Sequence, residues 1–428
     1  MLLLTLFACT PDPITKPGGR PDRDDTAGDT ADTGDSGDTA DTGGEPAKWQ
    51  FLVYMDGDND LEDWVIHDLN ELELTGSGDG VEVLVQADRI DGYSTKNGDW
   101  TDARRYKIIG DEDADRITSP VLEDIGEVDM GAPETLAAFL DWASTNYPAE
   151  HRALIMWDHG DGWLVRDPED AADTMADGAA PPPAVAYDDT DGGYLSFAEG
   201  TFAEGVTASV EAHGKFDVIA FDACNMASWE VMHAIVPFAH AASGAETTEG
   251  YEGLQYGPAL AYLRATPDTT PILLANELSR ATVEEGGEET HSATDLDQLA
   301  GLDAAIDALA GAALADPELA TALMQYRRTT RGVDRIWKNW YLDAGDLAAV
   351  ITAAGDPVLT PLALDLTAAL DVAVYHSYAS EEYAWVSGLT LWFDPANDDY
   401  TELYVNGPGA TWSSDTRWDD LMLSYVEK

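Results

Sequence analysis

Four strand-like, largely apolar runs constrain this chain more than any other feature: Trp49–Met55, Val81–Ala87, Ala153–Asp158 and Phe216–Cys224. The first is near-continuous, as expected of a strand buried on both faces. Helical patterns lie between them. Leu61, Trp64, Val65, Leu69 and Leu72 share one helical face. Pro133 opens a pattern carrying Leu136, Phe139, Leu140 and Trp142. Residues 196–212 read as a helix, and Met226, Val231, Met232 and Ile235 mark another after the fourth run. Residues 104–109 read as an edge strand. Strands interleaved with helices imply right-handed crossovers and an α/β fold, a mainly parallel sheet with helices on both faces.

In such sheets the functional site lies beyond the carboxyl ends of the strands. His159 and Gly160 follow the third run, and Cys224 stands at the carboxyl end of the fourth. If those strands are neighbours, the two side chains share one crevice. A thiol is nucleophilic as thiolate, and a nearby imidazole can take its proton. Cys224 reads as directly preceding a helix, whose dipole favours the thiolate. Gly160 lets the backbone approach a bound carbonyl, so its amide and that of Cys224 are candidates for an oxyanion hole. Taken alone, such a cysteine is ordinarily a small core residue and a His-Gly pair a turn. Their joint placement at strand ends points to chemistry.

The chain has 428 residues, 44% of them apolar, which is ample for a large core from about residue 48 onward. With 82 acidic against 22 basic residues the formal charge is -60, which disfavours nucleic acid and anionic lipid surfaces as partners and favours cationic peptides. A solvated acidic coat suited to a salty or extracellular setting accounts for the charge equally well. No stretch after the start reaches the roughly 18 uninterrupted apolar residues of a membrane span. Two cysteines allow one disulfide at most; a Cys9–Cys224 bridge would tie a leader segment to a core strand end and is not expected.

Leu6-Phe7-Ala8-Cys9 resembles a bacterial lipoprotein box, in which Cys9 becomes lipidated and residues 1–9 form the signal segment. The start lacks basic residues, so an ordinary secretory leader remains open. Residues 10–47 repeat Asp-Thr-Ala-Asp-Thr-Gly at Asp29 and Asp38 and hold almost no apolar side chains, as expected of a disordered tether. Expected locations are therefore the cell envelope, through a lipid anchor on the outer membrane or cell surface, or the outside of the cell. From there, residues 48–258 read as the core, and 259–428 as the rest of the sheet with a helical subdomain.

Several motifs in fixed order carry a resemblance. They are Tyr54-Met55 with Asp58-Asn59-Asp60-Leu61-Glu62, then Trp157-Asp158-His159-Gly160-Asp161-Gly162-Trp163, Tyr187-Asp188-Asp189-Thr190, and Phe221-Asp222-Ala223-Cys224-Asn225-Met226. Glu246-Thr247-Thr248-Glu249-Gly250-Tyr251 and Gly388-Leu389-Thr390-Leu391-Trp392-Phe393 follow. Together they resemble the clostripain family of cysteine peptidases. That resemblance implies a caspase-like fold, a catalytic pair of His159 as base and acid with Cys224 as nucleophile, and cleavage after arginine or lysine. Asp222, two residues before the nucleophile, is then a candidate for the pocket that takes the basic side chain, with Glu252 as a weaker second acid; a carboxylate is the physical means of selecting a guanidinium. Capping the following helix is the other role open to Asp222.

The resemblance also brings in self-cleavage and calcium. Between the histidine and the cysteine the basic residues are Arg166 and Lys215, and Arg166, in an acidic loop over 166–186, is the better placed. Asp56-Gly57-Asp58-Asn59-Asp60 resembles half of a calcium loop without its sixth-position glycine, and reads as structural or site-supporting. No metal ligand set is assigned. The remaining histidines, 67, 151, 213, 233, 240, 291 and 376, show no ligand spacing. The expected protein is a monomeric, surface-anchored cysteine endopeptidase. Two rivals are an inactive binding or adhesion lipoprotein on the same fold, and a caspase-like peptidase of other specificity.

Overall fold

The computed structural model describes residues 46–163, 184–333, 340–394 and 398–426. The four apolar runs become β1 (Ala47–Gly57), β2 (Val81–Arg89), β5 (Ala149–Trp157) and β8 (Phe216–Asp222). With β3 (Ala103–Lys107), β4 (Val121–Gly126), β9 (Ala239–Gly244), β10 (Thr290–Asp295) and β12 (Val374–Ala379) they form one nine-stranded sheet. Its order is β12-β10-β9-β8-β5-β1-β2-β3-β4. The centre, β9-β8-β5-β1-β2, is parallel. Both flanks, β10 with β12 and β3 with β4, join it antiparallel.

Alternate residues of the central strands feed two cores. Leu52, Tyr54, Leu154, Met156, Ile219 and Phe221 enter one. Phe51, Val53, Met55, Ile155, Trp157 and Val218 enter the other. The second face is covered by helices Glu62–Glu73, Tyr256–Ala265 and Pro271–Ala281. Helices Pro133–Asn146, Thr201–His213 and Trp229–Ile235 cover the first. Helix Leu299–Ala315 buries Leu299, Leu302, Ile306 and Leu309 in that same core. By length and composition its stretch Leu296–Ala315 passes for a membrane span. The burial of those residues reads it as a core helix.

Three details differ from the sequence reading. β3 is one strand in from the edge, because β4 lies outside it. β4 has no buried residue, so it leaves no apolar pattern to find. The later strand, β13 (Thr390–Trp392), pairs with β11 (Tyr341–Asp343) in a separate two-stranded sheet. A second small sheet joins β6 (Ala184–Tyr187) to β7 (Tyr194–Ser196).

Candidate active site

The sheet register brings the two catalytic candidates together. β5 and β8 are parallel neighbours, with Trp157 opposite Asp222, and the Asp158 amide donates to the Asp222 carbonyl at 3.2 Å. Two further steps in that register put His159 level with Cys224. Gly160 then lies against the Cys224 backbone. A Cβ at Gly160 would stand 2.6 Å from the Cys224 carbonyl oxygen and 3.1 Å from its amide nitrogen, so any larger residue displaces the Cys224 backbone.

His159 is held from behind. Its Nε2 lies 2.6 Å from Oδ1 of Asp60. Asp60 sits in the loop leaving β1, and Asn59 ties that loop down. The Asn59 amide donates to Asp158 Oδ1 at 2.7 Å and to the Tyr187 carbonyl at 2.9 Å. The Tyr187 amide donates to Asp158 Oδ2 at 2.5 Å. Burial pushes the Asp158 carboxyl up to about 7, against the pull of His159. On the far side of His159, Tyr187 Oη donates to Asp161 Oδ2 at 2.9 Å, and the Trp163 amide donates to Tyr341 Oη at 2.7 Å. The Trp163 ring is fully buried among Trp392, Tyr404 and Trp412, with centroids 5.3, 4.6 and 5.7 Å away.

Cys224 differs from expectation in one respect. It does not directly precede a helix: Asn225 takes a left-handed φ of 60°, the chain runs on beside residues 245–247, and the helix starts at Trp229 behind a Ser228 cap. Here the donor at the sulfur is instead the Glu249 amide, 3.1 Å from Sγ.

A cleft opens beside Cys224 and His159, and four acids line it: Asp68, Asp158, Asp222 and Glu249. Trp64 and Tyr251 also line it, their rings stacked at 4.9 Å. Asp222 accepts from the Leu254 amide at 2.9 Å and from Tyr256 Oη at 2.5 Å, so it anchors the 253–256 loop and not the Trp229 helix. Burial, reinforced by Asp68, pushes its carboxyl up to about 8. Asp68 accepts from Trp157 Nε1 at 2.6 Å. Glu249 is buried, and burial and Asp222 hold its carboxyl well above the usual range. Its Oε1 is 3.2 Å from His291 Nε2, but burial lowers His291 to about 3, so that contact joins a neutral imidazole and is no ion pair.

Glu252 is exposed and outside the cleft lining; Glu249 stands where a second acid was sought. Cys9 and Arg166 lie outside the described residues. Sequence reasoning passed over Asp60, Asp68 and Glu249 as individual residues. For Asp68 a signal existed: an aspartate one turn beyond Trp64, beside Leu69, on a helix side that is otherwise apolar.

Comparison with known proteins accords with this geometry. The Peptidase_C11 model, described as the clostripain family, matches residues 53–425. Clostripain of Hathewaya histolytica is 27% identical over 227 residues, covering 50% of this chain and 41% of that protein, so the match spans less than half of this relative's length. A secreted C11 cysteine protease from Bacteroides thetaiotaomicron superposes with a TM-score of 0.63 at 16% identity, over 87% of this chain and 100% of the other. An inactive zymogen C11 protease from Parabacteroides distasonis gives 0.59 at 18%, over 89% and 99%. At those identities the likeness establishes the caspase-like fold. With its family model matched over most of its length, the chain belongs to the clostripain family.

Proposed function

We propose that this protein is a cysteine endopeptidase that cleaves after arginine or lysine. The carrying observation is the parallel β5–β8 register, which sets His159 beside Cys224 at the mouth of a cleft lined by buried carboxyls. Cys224 attacks the peptide carbonyl. The oxyanion is held by the Gly160 and Cys224 amides. His159 takes the thiol proton and returns it to the leaving amine, giving an acyl-enzyme that water hydrolyses. With Nε2 on Asp60, Nδ1 is the nitrogen that exchanges the proton. Asp222 receives the cationic side chain, with Asp68 and Glu249 beside it. The direct test is release from a peptide amide carrying arginine at the cleavage position, which the wild type should perform and Cys224→Ala should not. Labelling of Cys224 by a basic acyloxymethyl ketone, lost in His159→Ala, separates an enzyme from a binding protein on this fold.

Asp60 is a positioning residue in this scheme. Asp60→Asn should lower kcat by about 10²-fold, the typical cost of a misplaced catalytic group. A nearby carboxylate favours the imidazolium, so the pH limb belonging to His159 should move to lower pH in the variant. A limb that stays in place removes Asp60 from the mechanism. Self-processing at Arg166 and anchoring through lipidated Cys9 belong to the same proposal. Secretion of the structurally similar Bacteroides protease supports a location outside the cytoplasm. Membrane partition of the native chain, lost in Cys9→Ser, tests the anchor.

A further inference from the structure

Of the four acids that line the cleft, three have both carboxyl oxygens engaged. Asp158 accepts from Asn59 and the Tyr187 amide, and Asp222 from the Leu254 amide and Tyr256. Asp68 meets His67 Nδ1 at 2.8 Å and Trp157 Nε1 at 2.6 Å. Glu249 is the exception. Neither of its oxygens has a hydrogen-bond partner among the described residues, although the residue is only 3% exposed. A dry carboxyl in that state is unfavourable, and a donor that enters the cleft relieves it.

The root of this side chain is fixed. The Glu249 amide donates to Cys224 Sγ at 3.1 Å, and the next amide, of Gly250, donates to Glu288 Oε2 at 2.6 Å. Behind the carboxyl stands His291 on β10, 1% exposed. Its Nε2 lies 3.2 Å from Glu249 Oε1 but is not aligned for a hydrogen bond. Its Nδ1 lies 3.1 Å from Ser243 Oγ and 3.0 Å from Ser279 Oγ, and those hydroxyls are 2.9 Å apart. The serines belong to β9 and the helix Pro271–Ala281, so neighbours on both sides hold the ring. A hydroxyl that donates to Nδ1 leaves the imidazole proton on Nε2, which faces Glu249.

The surroundings set the charge of Glu249. Asp222 from β8, Asp68 from the helix Glu62–Glu73 and Glu288 from the segment before β10 are all acids. Asp158, His159 and Cys224 complete the titratable lining, and among the described residues no lysine or arginine joins it. Burial and like charge keep the carboxyl protonated while the cleft is empty. A cation reverses this by favouring the ionised form. His291, which burial keeps neutral, can then donate Nε2–H to the carboxylate.

We propose that Glu249, seated by His291, is a second acceptor for the cationic side chain beside Asp222. The cation ionises Glu249, whose proton passes to solvent. The carboxylate then accepts from the cation on one side and from His291 Nε2–H on the other. His291 acts only through Glu249 and is a positioning residue. All of this rests on the cleft being a pocket for a basic side chain. The test uses the full chain bearing Cys224→Ala, in which no probe is turned over. The probes are acetyl-arginine amide and its citrulline counterpart, which has nearly the same shape and no charge. Calorimetry should show the arginine probe bound at least about tenfold more tightly, the effect of hydrogen bonds to a charged group. Glu249→Gln should cost at least about tenfold in affinity for the arginine probe and leave the citrulline probe unchanged. Imidazole NMR reads the contact directly. His291 is assigned by its loss in His291→Gln or, if that variant does not fold, by its shift in Ser279→Ala. At saturation the arginine probe should move the His291 Nε2–H resonance downfield in the parent and in Asp222→Asn, but not in Glu249→Gln. The citrulline probe should leave it in place. A preference for arginine with an unmoved His291 resonance, or with Glu249→Gln binding as tightly as the parent, overturns the role of Glu249 and His291 alone. Equal binding of the two probes overturns the basic pocket itself and this role with it.

Discussion

Cys224→Ala should lose at least about 10⁴-fold in kcat/KM toward an arginine peptide amide, because removal of a nucleophile leaves only binding and the oxyanion donors. The fold should be unaffected: the change removes one sulfur from a wall of the cleft. Wild type and variant should therefore unfold at similar temperatures while differing almost completely in turnover. Measurements belong in reducing buffer, since the attacking species is the free thiolate. The same variant decides self-processing. It should remain a single chain, whereas the wild type is cut at Arg166. A wild type that stays uncut yet fully active would show that maturation is unnecessary here. Residual turnover in Cys224→Ala near the wild-type rate would end the proposed mechanism.

Asp222→Asn should cost roughly 10²- to 10³-fold in kcat/KM for arginine and lysine peptides, the range for losing one partner of a buried charged pair. Peptides with a neutral residue at that position should be little affected. The pH dependence follows from the raised carboxyl, pushed up to about 8 against an ordinary value of 3.8. The folded protein holds a proton there that the unfolded chain releases. The stabilising contribution is therefore complete below about pH 4 and is lost as pH rises through about 8. The amide of the Asp222→Asn variant does not titrate, so the variant should gain stability relative to wild type between pH 5 and pH 8. A cationic substrate favours the ionised form, so its binding should expel a proton and strengthen as pH rises toward 8. Unchanged selectivity in Asp222→Asn would transfer the role to Glu249 or Asp68.

The sequence made the centre of the sheet legible because β1, β2, β5 and β8 are rich in large apolar side chains. β9 and β10 were not, since Ala239–Gly244 and Thr290–Asp295 consist mostly of small and polar residues packed close. His159, Gly160 and Cys224 were visible as strand-end residues, and the register brought them together. The helix after Cys224 was placed too early because Met226 is buried against the core from a turn, not from a helix. Glu249 and Asp60 were hidden for another reason. Each reaches the site from a loop, and loop positions carry no periodicity from which a contact can be read.

The setting of Trp163 bears on what a cut does to the molecule. This residue is locked in its aromatic cage, while Ala184, the next described residue, is already part of β6 and accepts from the Asp161 amide at 3.3 Å. Both banks of the intervening stretch are thus moored independently to the body. Severing the backbone anywhere between them frees two new ends but releases neither half. The product should run as two pieces in denaturant and as one particle in buffer.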